Sequence, residues 1–247
     1  MIAGVSPARP LVAARVARGR RPRAGAALRR PQQRSVETRQ RILEAAVGAF
    51  AQHGFDGALT RDIAEAAGVQ QPLLNYHFGS KLGLWQACVS MLFGELRQAL
   101  ADIPRRAADL SPEATLRATL RTLVRFNARR PALNGIIVKE AAVHTERLAW
   151  AIDAHVAPTY EGLLALLREV QASGALAPIS PAALYYLIVG AASSVFIMAP
   201  AYRMLSADDP FAAERVDAYA DAVEQLFLGT VPDRAARRRR SRQGVQA

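Results

Sequence analysis

Cysteine is nearly absent. Cys88 is the only one in 247 residues, so no intramolecular disulfide can form, and the chain is expected to work in the reducing interior of the cytoplasm. Aromatic residues are scarce too, at 6% against 51% hydrophobic residues overall. An apolar content built mainly from Ala and Leu favours helix over sheet, and no alternating strand pattern is found. The chain has no Gly-rich phosphate loop, no paired cysteines, and no Ser followed by a matching His and Asp set. That removes the common signatures of nucleotide binding and of nucleophilic hydrolysis. His53, His144 and His155 are scattered, so no metal site is expected. The expectation is an all-α protein that is not an enzyme, has no catalytic residue and needs no cofactor.

Acidic residues are missing from positions 1 to 34, which hold nine arginines. Between 233 and 247, six arginines face Asp233 alone. These tails together carry +14 against +11 for the whole chain, so the body between them stands at −3. A mildly acidic body between two basic arms fits a local contact with nucleic acid rather than one spread over the whole surface. Both arms are expected to be disordered. An Arg-rich, Ala-rich leader is also the composition of an organelle transit peptide, but this one has a single serine, Ser6, before Ser35. Charge of either sign is missing from Val170 to Tyr202, and Ala182 to Ala199 approaches the length of a bilayer span. Gly190, Ser193, Ser194 and the closing Pro200 instead suit a close contact between helices, so no membrane segment is expected.

What remains is punctuated as helices. Ser35 is expected to cap a first helix that ends at Gly54 and buries Ile42, Ala46, Ala49 and Phe50. Leu59 or Thr60 opens a second, Gln70 to Tyr76 make a third, and Ser80 caps a long fourth. Ser111, followed by Pro112, caps the next, with Leu116, Leu120, Leu123 and Val124 as its buried stripe. Further helices are expected over 132–144, 146–156, 158–173, 181–199 and 210–229. Pro158 and Pro181 are read as starts, and Gly174 and Pro200 as ends.

One stretch carries chemistry, "TRDIAEAAGVQQPLLNYHFGSK" from Thr60 to Lys81. Small Ala64 faces the turn, Gly68 takes the corner, and Ile63, Ala67, Val69 and Leu74 supply apolar contacts. Two helices crossing steeply need that arrangement. The second of them then presents Gln70, Gln71, Asn75, Tyr76 and His77, with Lys81 just beyond, a cluster that no core would bury. Amides pair with base edges, while hydroxyl, imidazole and ammonium groups bind phosphate. The cluster therefore points to DNA.

Ile42 to Phe50, "GFDGALTRDIAEAAGV" and "YHFGSK" together resemble the N-terminal domain of the tetracycline-repressor (TetR) family of bacterial transcriptional regulators. The likeness is close over residues 37 to about 88 and loose to about 229. It implies a helix-turn-helix DNA-binding domain over residues 35–82, and a helical bundle over 83–232 that dimerises and holds a small-molecule effector. Arms at 1–34 and 233–247 complete the chain. By motif position, Arg61, Gln71, Pro72 and Leu73 become the base-reading set, and Thr60, Asn75, Tyr76, His77 and Lys81 the phosphate set. Gln70 stands where many members have Ser or Thr, Asn75 where an aromatic is common, and Leu82 where an acid is frequent. Helices over 158–172 and 182–199 have the apolar content to pair with a second copy, as the family's last long helices do, through Leu163, Leu167, Leu187, Ala191 and Ser194. The remaining polar and aromatic set of Glu140, His144, Trp150, Tyr186, Phe196 and Met198 is the candidate effector lining. The implied function is a homodimeric repressor that binds double-stranded operator DNA with palindromic symmetry and is released by an unknown effector. The competing reading is a protein whose basic tails bind nucleic acid without sequence choice.

Overall fold

The computed structural model describes residues 24–106 and 110–229, and all the regular structure among them is helical. The elements are α1 (Ala24–Gly57), α2 (Thr60–Ala66), α3 (Gln71–Phe78), α4 (Lys81–Arg106), α5 (Pro112–Arg129), α6 (Ala132–Ala141) and α7 (Glu146–Ala151). A π-helical turn, Ile152–Val156, leads into α8 (Ala157–Ala172), followed by α9 (Pro181–Ile197), α10 (Ala199–Ser206) and α11 (Ala213–Leu228). The chain divides into Met1–Thr38 and Arg39–Ala247. All the packing described below lies in the second unit.

The expected caps form. Ser80 Oγ accepts from Gly83 N at 3.0 Å, Ser111 Oγ from Ala114 N at 3.2 Å, and Ser180 Oγ from Ala183 N at 3.1 Å. Each satisfies an amide that has no partner within its own helix. Three boundaries differ from expectation. Ser35 lies inside α1, because the backbone is already helical from Ala24, in a segment rich in alanine and arginine, both strong helix formers. The backbone is helical over the described part of the N-terminal arm, 24–34, while 1–23 and 233–247 lie outside the described residues. Pro200 starts a helix instead of ending one: α9 stops at Ile197 and α10 leaves it at 70°. Proline is tolerated there because the first turn leaves its N–H position unpaired in any case. Pro158 does sit in the first turn of α8, but the chain enters from the π-helical turn rather than from a loop.

One apolar core runs from Ile42 and Phe50 of α1 through Leu74 of α3 and Trp85, Val89 and Leu92 of α4. It continues to Leu116 and Leu120 of α5, Leu167 of α8, Ile188 of α9 and Ala220 of α11. α5 is the hub, packed against α4, α8, α9 and α11. Its polar face continues the union with α11. Arg117 meets Glu224 at 2.6 Å, Arg121 meets Glu224 at 2.6 Å and Asp221 at 2.5 Å, and Arg125 meets Asp217 at 2.8 Å. Positions four apart share one helix face, so three arginines on successive turns face a matching acidic row. Among the described residues no single helix is long and apolar enough to cross a membrane. Only the bent α9–α10 pair reaches that length and composition together, and α9 buries Leu184, Ile188, Ala192 and Phe196 within the bundle.

Candidate nucleic-acid interface

The turn between α2 and α3 is made by Ala67, Gly68 and Val69. Gly68 takes φ 64°, a left-handed angle that costs glycine little and other residues more. Val69 N closes the turn onto Ala64 O at 2.9 Å, and Arg41 Nη1 donates to Ala67 O at 3.1 Å, so α1 satisfies the C-terminal end of α2. Ile63, Ala64, Ala67 and Leu74 are buried beneath this corner. Their burial fixes the rotation of α3 about its own axis. With Leu74 at 0% exposure, Gln71, Pro72, Leu73, Asn75 and Tyr76 must face outward, and all five are exposed, Tyr76 at 80%.

The nine DNA-directed residues separate by this geometry. Arg61 is exposed at the start of α2, 3.3 Å from Asp62. Gln71 Nε2 donates to Thr60 Oγ1 at 3.1 Å, which ties the first turn of α3 to the first turn of α2. Thr60 and His77 are half-buried, and His77 lies edge-on to Tyr76 with 5.3 Å between ring centroids. Lys81 is half-buried as well. Its Nζ donates to Asp56 O at 3.1 Å and sits 4.8 Å from the Phe55 ring centre, so it braces the end of α1. Phe50 is fully buried and Phe78 half-buried.

Residues that motif reading passes over hold this head to the bundle. Arg130, at the end of α5, is shared by two carboxylates: Nη1 and Nη2 reach Glu44 of α1 at 2.8 and 3.0 Å, and Nε and Nη2 reach Glu95 of α4 at 2.7 and 2.9 Å. Lys139 of α6 donates to the carbonyls of Ala51 and Gln52 at the end of α1, where a cation complements the helix dipole. Arg147 lies 4.0 Å over the Phe55 ring while pairing with Glu140 at 3.1 Å. A continuous run of rings links the two parts. Phe55 packs edge-on against Trp85, Trp85 against Trp150, and Trp150 edge-on against His155, which stacks on Phe93. No local spacing in the sequence announces these partners, because Arg130 and Glu44 lie 86 residues apart.

Two groups in this region should contribute to the acid response of the fold. The hydrogen bond from Arg130 holds the Glu44 carboxyl below its ordinary value, against a smaller opposing effect of burial. His155 is held below the ordinary imidazole value by burial and then by the Arg97 charge. Both folded-state values are depressed, so each contribution is complete above the unfolded pKa and is lost as pH falls through the folded one. Stability should therefore decline in two stages, below about pH 6.5 for His155 and below about pH 4.3 for Glu44. Urea unfolding across that range should show the first stage vanish in His155→Asn and the second in Glu44→Gln. A decline that is identical in both variants and in the parent would refute the assignment. Cys88 takes no part, since burial pushes its thiol up to about 12.

The candidate effector set is not gathered into one place. Glu140 is 5% exposed and is occupied by Thr145 at 2.9 Å and by Arg147, so it serves as a structural ion pair. His144 is exposed, Trp150 belongs to the ring run, and Phe196 is buried against Phe211 and Tyr219. Tyr186 stands on the outside of α9 and Met198 at the junction of α9 and α10, 72% and 60% exposed. Helical spacing aligns residues on a stripe without saying which stripe turns inward. Of the residues expected to pair two copies, Leu187 and Ser194 are exposed on that same face. Ala191 is half-buried, its carbonyl taken by Tyr219 Oη at 2.6 Å. Leu163 and Leu167 are buried inside the protomer, at 8% and 0% exposure, because α8 turns its leucine stripe toward the bundle.

Comparison with known proteins agrees with this architecture over most of the chain. Residues 42–88 match the family profile described as bacterial regulatory proteins, tetR family, and residues 112–226 match the tetracyclin repressor-like C-terminal domain. The transcriptional regulatory protein RaaS of Mycobacterium tuberculosis is 51% identical over 61 residues, 25% of this chain and 28% of its own length. The transcriptional regulator RutR of Escherichia coli is 29% identical over 156 residues, 63% of this chain and 72% of its own. Among solved structures, a transcriptional regulator of Streptomyces coelicolor superposes with a TM-score of 0.58 at 28% identity, covering 78% of this chain and 99% of that one. AibR, solved with isovaleryl coenzyme A and operator DNA, superposes with a TM-score of 0.58 at 18% identity, covering 78% and 98%. At that identity the likeness concerns the fold alone.

Proposed function

This chain belongs to the tetR family of bacterial regulatory proteins, and from that premise we propose that it is a homodimeric repressor acting at the chromosome in the cytoplasm. Each subunit places α3 in the major groove of one half of a palindromic operator, and a small-molecule effector in the bundle releases the complex. The observation that carries this reading is the outward face of α3, polar and exposed on a helix whose rotation is fixed by buried Leu74. Gln71 and Arg61, with Pro72 and Leu73 beside them, read base edges, since an amide or guanidinium can pair two-fold with one base. Thr60, Asn75, Tyr76 and His77 hold phosphates and set the register. Lys81 gives one of its three N–H donors to the Asp56 carbonyl and keeps the other two for a phosphate. Residues 35–82 act as the reader and 83–232 as the sensor and dimerisation body, while the basic arms add affinity without sequence choice.

The test is a gel-shift and footprint series on DNA adjoining the protein's own gene. A protected palindrome with roughly a thousandfold preference over random sequence is expected at physiological salt. Protection without any sequence preference would favour tail-driven, non-specific binding instead. Gln71→Ala is expected to weaken operator binding by about 1–3 kcal/mol and to relax the preference at one base pair of each half-site. Equal losses on operator and random DNA would move base reading to other residues.

A further inference from the structure

A cavity of about 300 Å³ opens between α4, α5 and α8, away from every residue of the expected effector set. Its walls are Leu100, Ile103, Leu123, Leu163 and Leu166, with Gly162 and three threonines between them. The volume lies at the small end of ligand pockets, which span about 300–1,000 Å³. A larger cleft of about 990 Å³ between α4, α5 and α11 is a poorer candidate, because two of its arginines are already paired, Arg125 with Asp217 and Arg130 with Glu44 and Glu95.

The polar groups of the smaller cavity select its ligand. Thr115, Thr119 and Thr159 each donate their hydroxyl proton to a backbone carbonyl one turn back, at 3.0, 2.8 and 3.2 Å. Their oxygens therefore remain only as acceptors. Arg97 is the one charged residue of the lining and the one side chain that still offers donors to it. Among the described residues its guanidinium makes a single polar contact, 3.4 Å to Nδ1 of His155, and pairs with no carboxylate. Arginine has only donors, so Nδ1 accepts, and Nε2 carries the ring proton toward Ser90 Oγ at 3.0 Å. The imidazole is thereby neutral and supplies no counter-charge. One cation with free N–H groups, set at the edge of an aliphatic chamber that has no other donor, is complementary to a single carboxylate on an apolar tail.

We propose that this cavity is the effector site and that its ligand is a small aliphatic monocarboxylate, held by Arg97 at the carboxylate and by the leucine and isoleucine walls along the tail. The assignment of an effector role rests on the regulator reading above, whereas the ligand class rests on the cavity alone. Occupancy also has a built-in reporter. The carboxylate competes with His155 for the Arg97 guanidinium, and His155 lies 5.1 Å from the ring of Trp150, which packs on Trp85. These are the only two tryptophans in the chain.

The experiment titrates the full-length protein with octanoate, octanol, octylamine and acetate, following tryptophan emission and thermal stability. Octanoate should give a saturable emission change and a higher melting temperature. Octanol and octylamine should bind at least tenfold more weakly, and acetate should have no effect at the same concentrations. Arg97→Gln should reduce octanoate to the level of octanol. Gly162→Leu is the second variant: a Cβ at Gly162 meets nothing within 4 Å and the residue lines the cavity, so the added side chain should occupy the chamber and abolish octanoate binding, with an unchanged helical circular-dichroism spectrum as the check on folding. Equal binding of octanoate, octanol and octylamine, or unchanged discrimination in Arg97→Gln, overturns the proposal, as does full octanoate binding in Gly162→Leu. Operator gel shifts on the same preparations separate the two readings. Selective operator binding with no octanoate response rejects the ligand class and leaves the regulator intact. Octanoate binding with no operator selectivity supports the cavity assignment and removes the repressor.

Discussion

Leu187→Glu is expected to convert the protein to monomers and to weaken operator binding by a hundredfold or more on the scale of bivalent association, while its helical content stays unchanged. Leu187 is 53% exposed on α9. It belongs to a face with Tyr186, Gly190 and Ser194, all exposed, on a helix that carries no charged residue, and exposed Met198 follows directly at its end. α9 otherwise buries Leu184, Ile188, Ala192 and Phe196 in its own bundle, so it is apolar on both sides. A second copy is the natural cover for such a face, since contiguous exposed apolar surface marks contact sites, and two-fold pairing sets the same patch against itself. Glutamate in that seam would be buried twice over, with no cation on the helix to pair with it. The DNA consequence follows from geometry. One reader spans one half-site, and the second half-site adds affinity only when both readers are already joined. Light scattering and gel shifts on one preparation make the measurement. A dimer that persists in Leu187→Glu would move the interface off α9. Leu167→Glu serves as the contrast. That side chain is fully buried within the protomer, so it should unfold the chain rather than split a dimer.

Trp85→Ala should cost about 3–5 kcal/mol of folding stability, as expected for emptying a large aromatic site in a core. Trp85 is fully buried near the start of α4, edge-on to Phe55 at 6.4 Å and tilted against Trp150 at 5.8 Å between ring centroids. It thus joins the end of α1 to α7, whose Trp150 in turn meets His155 of the π-helical turn. Truncation leaves a cavity where the head meets the bundle, and operator binding should fall along with stability. Trp85→Phe sharpens the test. The indole Nε1–H is buried and has no hydrogen-bond partner among the described residues, so phenylalanine keeps much of the packing and removes an unsatisfied donor. Its cost should be well below that of alanine. Denaturant unfolding of both variants gives the comparison, and equal losses would show that the indole ring system, not apolar volume, is what the site requires.

The reader was legible in the sequence because its determinants are local. Gly68 at the corner, Ala64 facing it, and Leu74 six residues beyond Gly68 are enough to fix a turn and the rotation of the next helix. The caps at Ser80, Ser111 and Ser180 bond amides only three residues away, a distance that composition and spacing can encode. The bundle was legible only as a succession of helices. Pro200 reads equally well as a stop or as a first turn, and only the packing of Ala199 into the core, at 3% exposure, makes it the start of α10.

What the sequence by itself determined is therefore the helical class, the helix-turn-helix and the residues that its second helix turns outward. The tertiary structure alone decided which stripe of each later helix faces in. It buried Leu163 and Leu167 within the protomer, occupied Glu140 with Arg147, and left Tyr186 and Met198 outside. It also brought Arg130 to Glu44 across 86 residues and Arg97 to His155 across 58. The physical reason is the range of the interactions. Turn and cap energies depend on neighbours a few residues apart, whereas the inward face of an apolar helix and the partner of a charge depend on which distant surface arrives against them, and helical periodicity is silent on that.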